Sequence, residues 1–222
     1  MFGRMSFVHG DPARVDDLIM YVRTVVKPAI DKLAGSQGLG MWVNRQTGEC
    51  LVTSVWDTEA MMLASERDVE RLRDAAAGII GSTAIVERGE AVLLDEMGPN
   101  WVGNIMRLSM MRCEPAELDT HLEWAREHML PTLRTLTGYR GHVIAIDRAA
   151  GLMMAHTTFT DRRCAAVALE ATASLRESAS ARGLMLDNMV DYEIAIVGIR
   201  TPTAHLPAQR TVDLTEPATT RR

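Results

Sequence analysis

Displaced by 103 residues, the chain matches itself without a gap, and few sequence features restrict the available folds as strongly. Asp11-Pro12-Ala13 falls on Glu114-Pro115-Ala116, Pro28 on Pro131, Gly38 on Gly141, and Gly48 on Gly151. Trp56 meets Phe159, Leu72-Arg73 meets Leu175-Arg176, and Glu90 meets Glu193. These are punctuation positions: turn glycines, a helix proline, an aromatic at a strand end. Two copies that share their punctuation should share a fold, and a unit this long is a domain, not a solenoid turn. The 222 residues then divide into units at 5–96 and 101–200, with Met97-Gly98-Pro99-Asn100 as linker. Residues 201–222 are rich in Thr, Pro, Ala and Arg without periodicity, and are expected to form a disordered tail.

Each half reads strand–helix–strand–strand–helix–strand. In the first, Ser6–His9 starts an extended segment that Asp11-Pro12 breaks. From Ala13 to about Leu33 the apolar residues Val15, Leu18, Ile19, Val22, Val25 and Val26 keep helical spacing, and Pro28 should kink or end the run. Gly38–Asn44 and Cys50–Trp56 form a hairpin about Arg45-Gln46-Thr47-Gly48, with Gly48 in the left-handed region. A helix over Thr58–Ala77 and a strand over Ala84–Leu94 complete the unit, and the second half repeats it. This βαββαβ order is the ferredoxin-like α+β pattern, an antiparallel sheet with both helices on one face. Two copies packed sheet to sheet would cover the remaining faces and form an intramolecular barrel.

The formal charge of −5, with no basic cluster, argues against nucleic acid as a partner. No apolar run reaches signal-peptide or membrane-spanning length, so a soluble, cytoplasmic chain without a membrane partner is expected. Cys50, Cys113 and Cys164 are odd in number and form no CxxC pair, which suits a reducing compartment and inert thiols. There is no GxSxG elbow and no glycine-rich phosphate loop. Fifteen methionines suit a loosely shaped apolar cavity.

The stretch Gly38-Leu39-Gly40-Met41-Trp42, followed past the hairpin by Val52-Thr53-Ser54-Val55-Trp56-Asp57-Thr58-Glu59-Ala60, resembles the dimeric α+β barrel superfamily. Within it, the chain looks like the antibiotic-biosynthesis monooxygenase (ABM) domain, here in tandem. The resemblance implies a ligand pocket between sheet and helices, and relatives that include cofactor-free oxygenases of polycyclic phenols, haem-degrading enzymes and isomerases. The haem-degrading pattern needs a Trp and a His where this chain has Ser65 and Ala75, then Ala168 and Ser178, so haem degradation is not expected. It also implies an Asn near the start of the first strand of a unit that holds oxygen or substrate. Asn104 stands about two residues upstream of that place.

The copies differ most on one helix face. Leu18, Tyr21, Val22 and Val25 of the first half become His121, Trp124, Ala125 and His128 in the second. His142 and His156 lie on the second hairpin and would stand opposite each other if its turn centres near Ala149. Three readings remain open: satisfied structural histidines, a polar pocket, or a metal or haem site. The last lacks HxxxH or HxH spacing. In the pocket reading, His121 or His128 is a general base. Trp124, Asn104, His142 and His156 line the substrate space. The expected activity is a monooxygenase acting on a small apolar or aromatic molecule without metal or cofactor, in a chain that could pair as a homodimer. The competing expectation is a non-catalytic binding or scaffold protein of the same fold.

Overall fold

The structure, a computed structural model, describes residues 1–200; the expected tail at 201–222 lies outside the described residues. Strand β1 (Phe2–His9) leads into helix α1 over residues 12–30. The hairpin β2 (Ser36–Asn44) and β3 (Glu49–Trp56) follows, then helices α2 (Glu59–Ala64) and α3 (Glu66–Ile79), and strand β4 (Ile85–Glu96). The second half runs β5 (Ile105–Arg112), α4 over residues 115–134, β6 (Tyr139–Asp147), β7 (Leu152–Phe159), α5 (Arg162–Ala171), α6 (Ala173–Ala181) and β8 (Met185–Ile196).

Local chemistry accounts for the boundaries. Asp11 Oδ1 accepts from Ala13 N at the start of α1, Thr58 Oγ1 from Met61 N at α2, and Asp161 Oδ1 from Cys164 N at α5. Both hairpins need a glycine: at Gly48 (φ +78°) and Gly151 (φ +62°) a Cβ would sit 2.1 Å from a backbone carbonyl oxygen. The expected effect of Pro28 is corrected in one respect: the helix passes through it. A π-helical turn (Val22–Val26) precedes the proline, and Lys27 N–H reaches back five residues to Val22 O. The wider turn accommodates a residue that has no N–H to give. The second helix repeats the device with Ala125–Met129 before Pro131, and Leu130 N–H bonds to Ala125 O.

The eight strands form one closed antiparallel barrel in the order β1-β3-β2-β8-β5-β7-β6-β4. Closure crosses between the halves. β4 pairs with β1 of its own half and with β6 of the other (Glu90↔Ile146, Leu94↔Val143). β8 pairs in the same way with β5 and with β2 (Trp42↔Ile194). Among the described residues no strand edge is left open, which removes a standing hazard of antiparallel sheets.

Because side chains alternate along a strand, each strand serves two cores. Inward residues such as Met5, Leu51, Met106, Leu108, Met154 and Ile194 pack in the lumen. Outward residues pack beneath the helices: Leu39, Met41 and Trp56 with Leu18, Val22 and Val69 in the first half, and Ile144, Met153 and Ala155 with Leu118, Leu122 and Trp124 in the second. No helix among the described residues is long and apolar enough to cross a membrane.

Candidate functional site

The two helix-covered faces are not equally filled. Under the first-half helices the gap is about 40 Å³, lined by aliphatics such as Leu18, Val22, Leu39 and Val69. The corresponding space in the second half is about 120 Å³, lined by Trp124, Ala125, Met129, His142, Met153, Ala155, Thr157 and Phe159 among others. The substitutions explain the volume. Val22 and Val52 are matched by Ala125 and Ala155, and Leu39 by His142, so methyl groups are withdrawn and an imidazole enters.

The expected site residues separate into two groups. Trp124 and His142 line the cavity, but His121 and His128 do not. His121 is buried, its Nε2 has no protein partner, and burial lowers its pKa. His128 stacks on the Trp124 ring at 5.3 Å with planes 9° apart, and its Nδ1 sits 3.1 Å from Trp124 O. It steadies the indole and does not face the cavity. Asn104 is occupied structurally: its Oδ1 accepts from Trp101 N at 2.9 Å and its Nδ2 donates to Thr160 O at 3.1 Å.

His142 and His156 are not opposite each other, which corrects the expectation from the hairpin. The register pairs His142 with Thr157 and Val143 with His156, one residue off the expected pairing. A shift of one residue reverses the face. His142 therefore looks outward to the helices, with Nδ1 2.9 Å from Thr157 Oγ1, while His156 looks into the lumen beside Trp42. Burial pulls the pKa of both imidazoles down to about 4, so both are neutral at pH 7.

Two arginines in the cavity wall were missed. In the first half Arg4, Arg73 and Arg88 converge on one carboxylate, Glu66, at 2.9, 3.1 and 3.1 Å. Arg4 also reaches Ser65 Oγ and Met62 O. Shifted by 103, Glu66 becomes Leu169 and Arg88 becomes Asp191, while Arg4 and Arg73 remain arginine as Arg107 and Arg176. Arg107 takes Asp191 in a two-pronged pair at 2.7 Å and donates to Ala165 O at 2.9 Å. Arg176 keeps only Thr172 Oγ1 at 2.6 Å, with no carboxylate in ion-pair reach among the described residues. Burial and the neighbouring Arg107 lower its pKa, and Glu177, beyond ion-pair distance, offsets this only in part. The offset alignment carried this signal: a charge network loses its acid while keeping its bases.

No three His, Cys, Asp or Glu side chains gather to hold a metal among the described residues. The cavity thus presents an apolar slot with an aromatic wall, a neutral imidazole and an unneutralised guanidinium. Such a site can admit a flat apolar molecule and stabilise negative charge on it.

This mixed α+β fold, closed here by eight antiparallel strands, has ferredoxin-fold and monooxygenase-like proteins among its structural neighbours. An anthrone oxidase-like protein superposes with a TM-score of 0.65 at 11% identity, over 87% of this chain and 90% of its own. A proposed monooxygenase from Lactobacillus acidophilus NCFM gives 0.64 at 8% identity, over 90% and 97%. A ferredoxin-fold protein from Listeria monocytogenes 4b F2365, related to antibiotic biosynthesis monooxygenases, gives 0.50 at 7% identity, over 87% and 95%. No family model matches the chain. In sequence it is 30% identical over 204 residues to the uncharacterised protein Rv2558 of Mycobacterium tuberculosis, covering 91% of this chain and 86% of that one. It is also 30% identical over 208 residues to Rv2557 of the same organism, covering 91% of each. The chain belongs to the family of these mycobacterial proteins.

Proposed function

We propose that this chain is a fused tandem of two ferredoxin-like units forming an intramolecular dimeric α+β barrel. In this reading it acts as an ABM-type oxygenase without a bound cofactor, on a small aromatic compound in the second-half cavity. The first half, with its filled face, serves as structure. The observation that carries the reading is Arg176, a cation with no carboxylate in ion-pair reach among the described residues, in the wall of a largely apolar cavity. Such a charge suits an enolate or phenolate formed from a bound ketone or phenol.

His142 takes the proton, since His121 and His128 stand off the cavity and Thr157 fixes its ring. The negative charge that develops on the adjoining substrate offsets the burial that otherwise keeps this imidazole unprotonated. The resulting carbanion, its charge held by Arg176, meets dioxygen. For a methylene flanked by aromatic rings the balance is CH2 plus O2 giving C=O plus H2O. The carbon is oxidised, one oxygen atom enters the product and the other leaves as water. Trp124, steadied by His128, forms the aromatic wall.

The test is oxygen uptake and anthraquinone formation from anthrone, with metal chelator present and against the spontaneous rate. Turnover should fall at least tenfold in His142→Leu and in Arg176→Met, each with its fold intact by circular dichroism. Anthrone that binds but is not oxidised above background would instead favour the ligand-sequestering reading of the same fold.

A further inference from the structure

We propose that the barrel lumen is a second ligand site, across the sheet from the helix–sheet cavity and sharing only His142 with it, for a neutral aromatic compound bearing a carbonyl oxygen. The lumen space is about 600 Å³, well above the outer cavity and within the range of small-molecule sites. It opens toward the barrel end where β4 and β8 finish and β1 and β6 begin.

Its polar groups are left incomplete. Of eight buried side-chain nitrogen and oxygen atoms without a partner among the described residues, four belong to residues lining this space. They are Trp42 Nε1, Thr53 Oγ1, His156 Nε2 and Asn100 Oδ1. Unpaired polar atoms shut away from bulk water cost stability, and native chains seldom gather them at one place without an occupant. The surrounding wall is apolar, with Met5, Met106, Ala145 and Ile194.

The space has been shaped asymmetrically. Gly40 and Trp42 of the first half correspond to Val143 and Ala145 of the second, and Thr53 corresponds to His156. The indole lies across the position a Gly40 side chain would need: a Cβ there would be 2.7 Å from its ring. Trp42 in turn meets the His156 ring at 6.2 Å. The polar groups therefore come from both sides of the lumen, Trp42 and Thr53 on β2 and β3 and His156 on β7 across the barrel. The lone indole makes the two sides unlike, which orients a ligand.

The ligand chemistry follows from the groups. Indole N–H can only donate, so the ligand must accept. Asp95 is engaged by Arg134 and Tyr139, and Glu96 and Arg200 belong to the barrel end. The deep lumen supplies no counter-charge, so a charged ligand is disfavoured and a neutral carbonyl fits. This separates the lumen from the outer cavity, where Arg176 favours an anion while Arg107 is held by Asp191.

The four tryptophans, Trp42, Trp56, Trp101 and Trp124, make the proposal testable in the full-length ¹⁵N-labelled protein. Indole N–H resonances, assigned by single Trp→Phe variants, are followed during titration with 9-fluorenone and with fluorene, which lacks the carbonyl. Saturable movement of the Trp42 signal by fluorenone is expected, with fluorene about tenfold weaker. Trp42→Phe should erase that preference. If it does not fold, Ala145→Phe, which fills the lumen from its apolar wall, should weaken fluorenone at least tenfold.

Three results would overturn the site: movement confined to Trp124, equal affinity for both probes, or a Trp42 signal that only exchanges with water. The readout is Trp42 and not turnover, so this site and the outer cavity stand or fall separately.

Discussion

His142 and His156 show how much a single residue can hold. Both are kept neutral by burial, with folded pKa values near 4 against about 6.5 in an open chain. Below pH 6.5 the unfolded chain takes up protons that the folded chain refuses. Stability is therefore complete above about 6.5 and drains away as pH falls toward 4. Each imidazole contributes on the order of 3 kcal/mol to that loss. Thermal unfolding between pH 7 and 4 should show a steep decline in the midpoint, and the double variant His142→Gln/His156→Gln should flatten it. A parent curve with no slope in that window would contradict the burial of both rings. Sequence alone could find these histidines as departures from an aliphatic pattern. It could not assign their faces, because the face depends on a register that one residue of turn length reverses. His121 was found by the same signal and does not line the second-half cavity, since helical spacing gives the side of a helix but not what that side meets.

At the scale of elements, the charge network beneath the first-half helices ties strand to helix. Arg4 leaves β1, is fully buried, and is neutralised across the sheet–helix gap by Glu66 at the start of α3. Glu66→Gln should lower stability by roughly 2–3 kcal/mol, less than a fully enclosed pair would lose because Glu66 keeps some water. Urea unfolding would read this as a shifted midpoint at unchanged slope, and Arg4→Met added to the variant should recover most of it. An unshifted midpoint for Glu66→Gln would mean that the carboxylate adds no net stability to any of its three arginines, Arg4 included. The order of strands and helices was readable from turn glycines, caps and periodicity, and the 103-residue offset supplied a second sighting of most elements. The π turns before Pro28 and Pro131 were not readable as such. A proline in a helical run announces a disturbance, and whether the chain kinks, stops or widens is settled by packing against the sheet.

Across the whole molecule, the crossed pairing of β4 with β6 and of β8 with β2 makes the halves complete each other. Residues 1–100 expressed alone would leave β2 and β4 with open edges. They should not persist as a folded monomer, and a dimer in which each copy lends β4 to the other's β2 is the expected product. Analytical ultracentrifugation of that fragment decides it, and a folded monomer would contradict the need for exchange. The repeat in the sequence pointed to two similar units. It carried no record of which strands would cross, since hydrogen-bonding edges are backbone features that side-chain patterns describe only indirectly.

The same crossed pairing governs traffic into the molecule. Where two lobes meet at a flat contact, they can swing apart to admit a guest. Here the seam is two backbone ladders, β2–β8 and β4–β6, each interrupted by one irregularity, and among the described residues the halves do not meet at a flat face about which to open. Entry to either chamber must come through the barrel end or between helix and strand, by the movement of a few side chains. Admission should therefore be limited by the girth of the guest, and bulky compounds turned away however well their chemistry suits the walls.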